Sequence, residues 1–572
     1  GRRPPTASGS RGVMTDIRPW PIPALAPEVT HVQVHAVLAR ELARHGGGVM
    51  FGVTGESNVF MADQFVRAQG GRYVAAASEA GAVSMAKGYA AITGGPGIAT
   101  VTHGPGLTNT MTALVDGARE QAPVVLVAGD TAVADSGNLQ NIDQRQLALA
   151  AEAGFEQVRS PETVCADTAA AFRRALTERR PVVLNVPAEF MFVPCERPEP
   201  AVIQASRAAP GPADAEVDDA AAVLAAGRRP IVLAGRGAIG PDARAALLAL
   251  AARAGAPLAT TLKAKDLFRG EEADLGIFGT LSPPETVAAI AASDCVVAFG
   301  ASLNGWTTAR GAYLDGKRVV HCDLDARQLG ARARIDAGVA GDAAAVADAL
   351  RGRLDDAGLP PAAFRSGLPR AEPARRQAAA GGPGGSGARL AGLGECLDAL
   401  DAAAPADRIL VADSGRFVFA AFGRLHAEHP AWFVPTVGFG AIGLGMGHAV
   451  GAACAGSGRP VLLVTGDGGF MLGGLAEFST AVRYGLDIIV AVCDDGSYGA
   501  EEAFMRERGA DPAIARFSWP DLAAVARSLG GQGVTVASAA QLAGLPGVIA
   551  ARTGPLLIDI RLDPDTIAGF EH

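Results

Sequence analysis

Short uninterrupted apolar runs, each followed by a longer stretch with helical spacing, recur along the whole chain. This pattern constrains the fold most. Strands buried on both faces read as continuous Val/Ile/Leu runs, and the helices between them supply the cover. VAAAS, GIATVTH and PVVLVAGD read as strands around the helical AGAVSMAKGYAAI. RRPIVLAGRG, APLATTL, CVVAFGAS and KRVVHCDLD form a second set, and RILVADSG, PVLLVTGDG, DIIVAVCDD and PLLIDIRLD a third. Two Pro/Gly/Ala-rich breaks without apolar periodicity, 196–214 and 356–391, separate the sets. The expected architecture is α/β, with three doubly wound parallel-sheet domains. Their expected bounds are 28–197, 215–355 and 392–572, with a linker at 356–391. Ligands then belong at the C-terminal ends of the strands.

Composition narrows the function classes. A formal charge of −9 and the lack of any Lys/Arg-dense block give no reason to expect nucleic-acid binding. No apolar run reaches membrane-spanning length without charges or breakers. The seven cysteines form no CxxC pair, so neither zinc nor a disulfide framework is expected, and a cytoplasmic location follows. The opening GRRPPTASGSRGV is basic and lacks the apolar stretch of a secretory signal. Met14 offers an alternative start, and 1–27 is expected to be a disordered tail.

The strongest chemical signal is Gly466-Asp467-Gly468-Gly469, then a helical stretch, then Asp494-Asp495-Gly496-Ser497-Tyr498-Gly499. If the two preceding strands are parallel neighbours, Asp467 and Asp495 emerge at one sheet edge. Two carboxylates there, with main-chain carbonyls, can hold a Mg²⁺ that bridges a diphosphate, and the glycines let backbone approach phosphate closely. Read alone, GDG reads as an ordinary turn.

The whole segment, GDGGFMLGGLAEFSTAVRYGLDIIVAVCDDGSYG, resembles the signature of thiamine-diphosphate enzymes, in the style of acetolactate synthase. SEAGAVSMAKGYA, FGVTGESNVF, THGPGLTNTMTALVDGAREQAPVVLVAGD and VGFGAIGLGMGHAVGAA extend the likeness over about Thr30 to Asp563. The resemblance implies pyrimidine-binding, central and diphosphate-binding domains in that order. It assigns the metal to Asp467, Asp495 and the carbonyl of Ser497. Gly466, Gly468, Gly469, Tyr498, Gly415 and Arg416 would line the diphosphate. Backbone at Gly440 and Ile442 would meet the pyrimidine, with Ile442 as the wedge that bends the cofactor; an apolar residue there also reads as plain core.

Glu79 takes the place of the catalytic glutamate, whose carboxyl group hydrogen-bonds N1′ of the aminopyrimidine and so promotes loss of the thiazolium C2 proton. In isolation it reads as a helix-capping surface residue. Glu56 is either a proton relay or a turn cap, Gln140 faces the substrate, and His103 is either structural or an acid/base group.

Several positions depart from the family. Asp494 stands where Asn is usual, and either adds charge beside the cofactor or turns away to cap a turn. Arg416 replaces a Gln and is expected to offset Asp494. Phe417 stands where His is frequent. FGASLNGWTT replaces an Arg-rich flavin-contacting segment, so FAD is not expected.

The implied reaction is decarboxylation of a 2-oxo acid and transfer to a second carbonyl, with no nucleic-acid or membrane partner. A non-ligating decarboxylase is the alternative reading, and a cofactor-binding protein with weakened catalysis another. The family arrangement implies a homodimer or homotetramer, because Glu79 and the metal residues come from different subunits.

Overall fold

The computed structural model describes residues 32–195, 211–240, 242–367 and 392–564. The expected tail and most of both breaks lie outside these. The N-terminal sheet comprises β1 (Val49–Gly52), β2 (Arg72–Ala75), β3 (Gly97–Val101), β4 (Val124–Asp130), β5 (Gly154–Gln157) and β6 (Val182–Pro187). The strands are parallel, in the order β2-β1-β3-β4-β6-β5. The central sheet holds β7 (Pro230–Ala234), β8 (Leu258–Thr260), β9 (Asp274–Ile277), β10 (Cys295–Phe299), β11 (Arg318–Asp323) and β12 (Ala337–Ala340). Its order is β9-β8-β7-β10-β11-β12.

The C-terminal sheet holds β13 (Ile409–Ala412), β14 (Phe433–Pro435), β15 (Val461–Gly466), β16 (Ile488–Asp494), β17 (Gln532–Val536) and β18 (Leu556–Arg561). Its order, β14-β13-β15-β16-β18-β17, repeats that of the N-terminal sheet. The first and last domains are thus two copies of one topology, and the central one reverses direction beside β7, as doubly wound dinucleotide folds do.

The apolar runs are strands because both faces are covered: Val461 to Val464 and Ile488 to Val492 are fully buried. Each Val or Ile buried in this way is worth about 1.5–3 kcal/mol against exposure. β16 extends through Asp494.

First and last domains of the same chain pack closely. The helix Glu79–Thr93, capped by Ser78 Oγ on Gly81 N and ended by left-handed Gly94, crosses the helix Gly445–Cys454. A Cβ at Gly447 would lie 2.7 Å from Ser84 Cβ, and one at Gly88 would strike the His448 carbonyl, so the glycines set the approach. Buried Lys87 pairs with Asp116 beneath this crossing. Glu477 accepts from Ala77 N (3.1 Å), Ser78 N (3.0 Å) and Ser78 Oγ (3.0 Å), pinning the start of the Glu79 helix to the last domain. The central domain is tied in by Lys263–Glu120 (2.6 Å) and by Arg236 donating to the Glu120 carbonyl (2.7 Å). All seven cysteines are buried and unpaired. No helix among the described residues is long and apolar enough to cross a membrane.

Candidate active site

The site floor follows from one pairing. β15 and β16 run parallel with Gly466 opposite Cys493, so Asp467 and Asp495 leave the sheet side by side. Asp467 is buried, and its Oδ2 accepts from Trp519 Nε1 (2.8 Å) and Ser497 N (3.2 Å). Asp495 Oδ1 accepts from Ser497 Oγ (2.6 Å), and Oδ2 from Arg416 Nη2 (2.6 Å). Burial first, and then the charges of Asp495 and Asp494, push the Asp467 carboxyl up to about 8. A Cβ on Gly468 would meet the Tyr498 ring at 2.6 Å and would lie 3.9 Å from the Ser497 carbonyl oxygen, so only glycine lets the two turns pack this closely.

These donors suit a divalent metal with a diphosphate. Every candidate ligand atom is an oxygen, as hard cations prefer, and the Asp467 and Asp495 carboxylates emerge from neighbouring parallel strands. Arg416 Nε is buried in the cleft wall without a hydrogen-bond partner, a donor left over for an anion.

Arg416 does not offset Asp494 as expected. It reaches Asp495 and Glu502 (3.3 Å) instead. Asp494 turns away: its Oδ1 caps the turn at Gly496 N (3.1 Å), and Oδ2 lies 2.9 Å from Arg561 Nη1. Arg561 also pairs with Asp559 (2.7 Å), whose carboxyl is pushed up to about 7 by burial and by Asp494. The physical reason is register. Asp494 is still inside β16, opposite Arg561, so its side chain points into the β16/β18 face and away from the phosphate turn.

The loop 440–443 is shaped by left-handed Gly440 and Gly443. Gly443 N donates to Asp413 Oδ2 (3.0 Å), which also accepts from Thr465 Oγ1 (3.1 Å), while Oδ1 accepts from Thr436 Oγ1 (3.0 Å). Fully buried Asp413 therefore joins three strand ends to the loop. Its only sequence signal is an acid closing an apolar strand. Trp519 and Glu502 are missed too, because chain spacing gives no hint that they return to the turns at Asp467 and Arg416.

All the residues assigned to the cofactor from sequence line one cleft of about 2480 Å³: Gly415, Arg416, Gly440, Ile442, Gly466 to Gly469, Asp495, Ser497 and Tyr498. The four N-terminal candidates do not join them. Glu56, Glu79, His103 and Gln140 follow β1, β2, β3 and β4, and so gather at the C-terminal edge of the N-terminal sheet. Glu79 Oε2 accepts from Asn109 Nδ2 (3.1 Å). His103 is buried with Nδ1 unpartnered, and Glu56 is exposed while Asn58 caps its turn on Gly55 N (2.7 Å). Gln140 N donates to Asn138 Oδ1 (3.0 Å). The cleft instead meets the N-terminal domain at Gly94, Pro123, Glu152 and Arg179, which precede β3, β4, β5 and β6. Within one chain, the cofactor cleft and Glu79 face opposite edges of that sheet.

Three family models match the chain: thiamine pyrophosphate enzyme, N-terminal TPP binding domain, over residues 32–152; the central domain over 217–350; and the C-terminal TPP binding domain over 413–560. A sulfoacetaldehyde acetyltransferase from Alcaligenes xylosoxydans xylosoxydans is 27% identical, covering 86% of each chain. An acetolactate synthase large subunit from Mycobacterium tuberculosis is 28% identical over 86% of this chain and 81% of its own. The fold is shared with the thiamine diphosphate-dependent 4-hydroxybenzoylformate decarboxylase of Rhodococcus jostii RHA1, at a TM-score of 0.78 and 23% identity, covering 94% of this chain and 100% of that one. With the models spanning all three domains, the chain belongs to the thiamine pyrophosphate enzyme family.

Proposed function

We propose that this enzyme decarboxylates a 2-oxo acid and joins the remaining fragment to a second carbonyl compound, using thiamine diphosphate and Mg²⁺ in a site shared by two subunits. The opposed edges carry this reading. The diphosphate cleft of one chain lacks Glu79, so a second copy must supply the C-terminal edge of its N-terminal sheet. A homodimer is the smallest closed arrangement that does so twice, and a homotetramer pairs two of them.

Asp467, Asp495 and the Ser497 carbonyl would hold the metal, and the glycine turn with Arg416 the diphosphate. Ile442 would support the pyrimidine from the loop that Asp413 anchors. When bound, thiamine diphosphate supplies the electron sink that lets a 2-oxo acid lose CO₂. Glu79 would hold a proton at N1′ of the pyrimidine, fixed by the Asn109 bond. His103, with a ring nitrogen unpartnered in its protein surroundings, would hold or move a proton at the substrate carbonyl, with Gln140 and Glu56 beside it. The turn after β10 brings Trp306 to the cleft, whose central-domain wall also carries Arg236, Arg327 and Arg332.

The test is product analysis with a panel of ¹³C-labelled 2-oxo acids, each with and without aldehyde or 2-oxo-acid acceptors. The expected result is CO₂ release together with a new carbon–carbon bond in at least one pair. CO₂ with only the free aldehyde would make the enzyme a non-ligating decarboxylase. Cofactor binding without CO₂ release from any donor would contradict both.

A further inference from the structure

Asp495, read above as a metal ligand, already has a cation on it. Arg416 Nη2 donates to Asp495 Oδ2 at 2.6 Å, and its side chain is 4% exposed. The other Asp495 oxygen is taken by Ser497 Oγ. Arg416 Nη1 reaches Glu502 Oε2 at 3.3 Å, and Glu502 is itself gripped by Arg506 (2.7 Å) and Arg516 (2.8 Å). Bonds from Arg516 and Arg506, and the charge of Arg416, outweigh burial and hold the Glu502 carboxyl below its usual range. Glu502 therefore stays an anion already served by two other arginines. Space for the Arg416–Asp495 pair comes from Gly499, where a Cβ would lie 2.6 Å from Arg416 Nε and 2.9 Å from Asp495 Oδ2.

We propose that Arg416 is a built-in competitor for the metal. Its guanidinium neutralises Asp495 until a metal–diphosphate pair arrives, then releases that carboxylate to the divalent cation and turns its charge onto the diphosphate. Two observations point this way. The guanidinium cannot lose its proton, so only a rival cation or a better anion can break the pair. Its Nε is buried in the cleft wall with no partner, a donor that the present arrangement leaves unused. A metal ion alone must expel Arg416 and leave it beside no new anion, which is costly for a desolvated charge. Metal and diphosphate together satisfy both Asp495 and Arg416. The two ligands should therefore bind synergistically, each poorly without the other. This inference rests on the cofactor assignment above and concerns loading of the site, not the reaction.

The test measures Mn²⁺ binding by the electron paramagnetic resonance of free Mn²⁺, with and without thiamine diphosphate, in wild type, R416Q and D467A. Thiamine diphosphate binding is also measured by calorimetry at saturating Mn²⁺. In wild type, thiamine diphosphate should tighten Mn²⁺ binding at least tenfold. R416Q should bind Mn²⁺ alone about ten- to a hundredfold more tightly, the scale of losing one charged hydrogen bond to the ligand. With Mn²⁺ saturating, it should bind thiamine diphosphate more weakly by a similar factor.

Unchanged Mn²⁺ affinity in R416Q would overturn the competition, and unchanged thiamine diphosphate affinity at saturating Mn²⁺ would overturn the transfer to phosphate. Should R416Q not fold, absence of synergy in the wild-type protein overturns the proposal by itself. D467A separates the two layers: if it binds Mn²⁺ with thiamine diphosphate as wild type does, the metal-site assignment fails, whatever Arg416 does.

Discussion

Glu79→Gln is expected to slow proton–deuterium exchange at C2 of bound thiamine diphosphate by about two to four orders of magnitude, the range over which general acid–base groups act. The substitution keeps the side chain's size, and an amide oxygen can still accept from Asn109 Nδ2 as Glu79 Oε2 does. It cannot hold a carboxyl proton at N1′. Cofactor affinity should change only a few-fold, because the proposed diphosphate and metal contacts lie in the last domain, on a cleft that Glu79 of the same chain does not line. Exchange at the wild-type rate would remove Glu79 from the chemistry and leave Glu56, at the same sheet edge, as the next carboxylate. Loss of binding would instead give Glu79 a structural role. The nearby bonds argue against that: Ser78 caps the helix, and Glu477 holds its first residues without Glu79.

Asp467→Ala should abolish retention of the cofactor at limiting Mg²⁺, weakening thiamine diphosphate by more than about a hundredfold, a loss that altering a mere outer partner of a metal ligand can already approach. Asp467 is the one carboxylate that joins the glycine turn, the Ser497 backbone and Trp519. Without it the proposed metal site would keep one carboxylate, Asp495, which Arg416 contests. Calorimetry on the apoprotein with Mg²⁺ near the protein concentration would check this. Affinity like that of wild type would place the metal elsewhere.

The sequence carried much of the architecture because the central strands of the sheets are apolar runs; Val461–Gly466 and Ile488–Asp494 are examples, whereas edge strands such as Gly154–Gln157 and Gln532–Val536 carry no such run. It carried the cofactor cleft for the same reason, since motif residues at the ends of neighbouring parallel strands have little choice but to meet. Side-chain direction within a turn was less legible. Asp494 and Asp495 are adjacent, yet the strand's two-residue alternation sends one to Arg561 and the other to Arg416. The partner of Arg416 was assigned wrongly from sequence because charge balance does not specify which of two neighbouring carboxylates lies within reach. Trp519, Glu502 and Glu477 were invisible because their contacts depend on where later segments return. No spacing rule encodes Trp519 Nε1 on Asp467, 52 residues away. Nor does one encode Glu477 on the backbone of Ser78, 399 residues away.

The shared site is the central claim, and subunit complementation tests it most directly. E79Q and D467A proteins are each expected to be inactive in CO₂ release. Mixed, dissociated and reassociated, they should form heterodimers in which one site combines the intact Asp467 of one chain with the intact Glu79 of the other. Random reassociation makes half the dimers mixed, each with one intact site, so activity should recover to about a quarter of wild type. No recovery, with heterodimers demonstrated by mass, would mean that Glu79 and Asp467 serve the same chain's site, and would contradict the account.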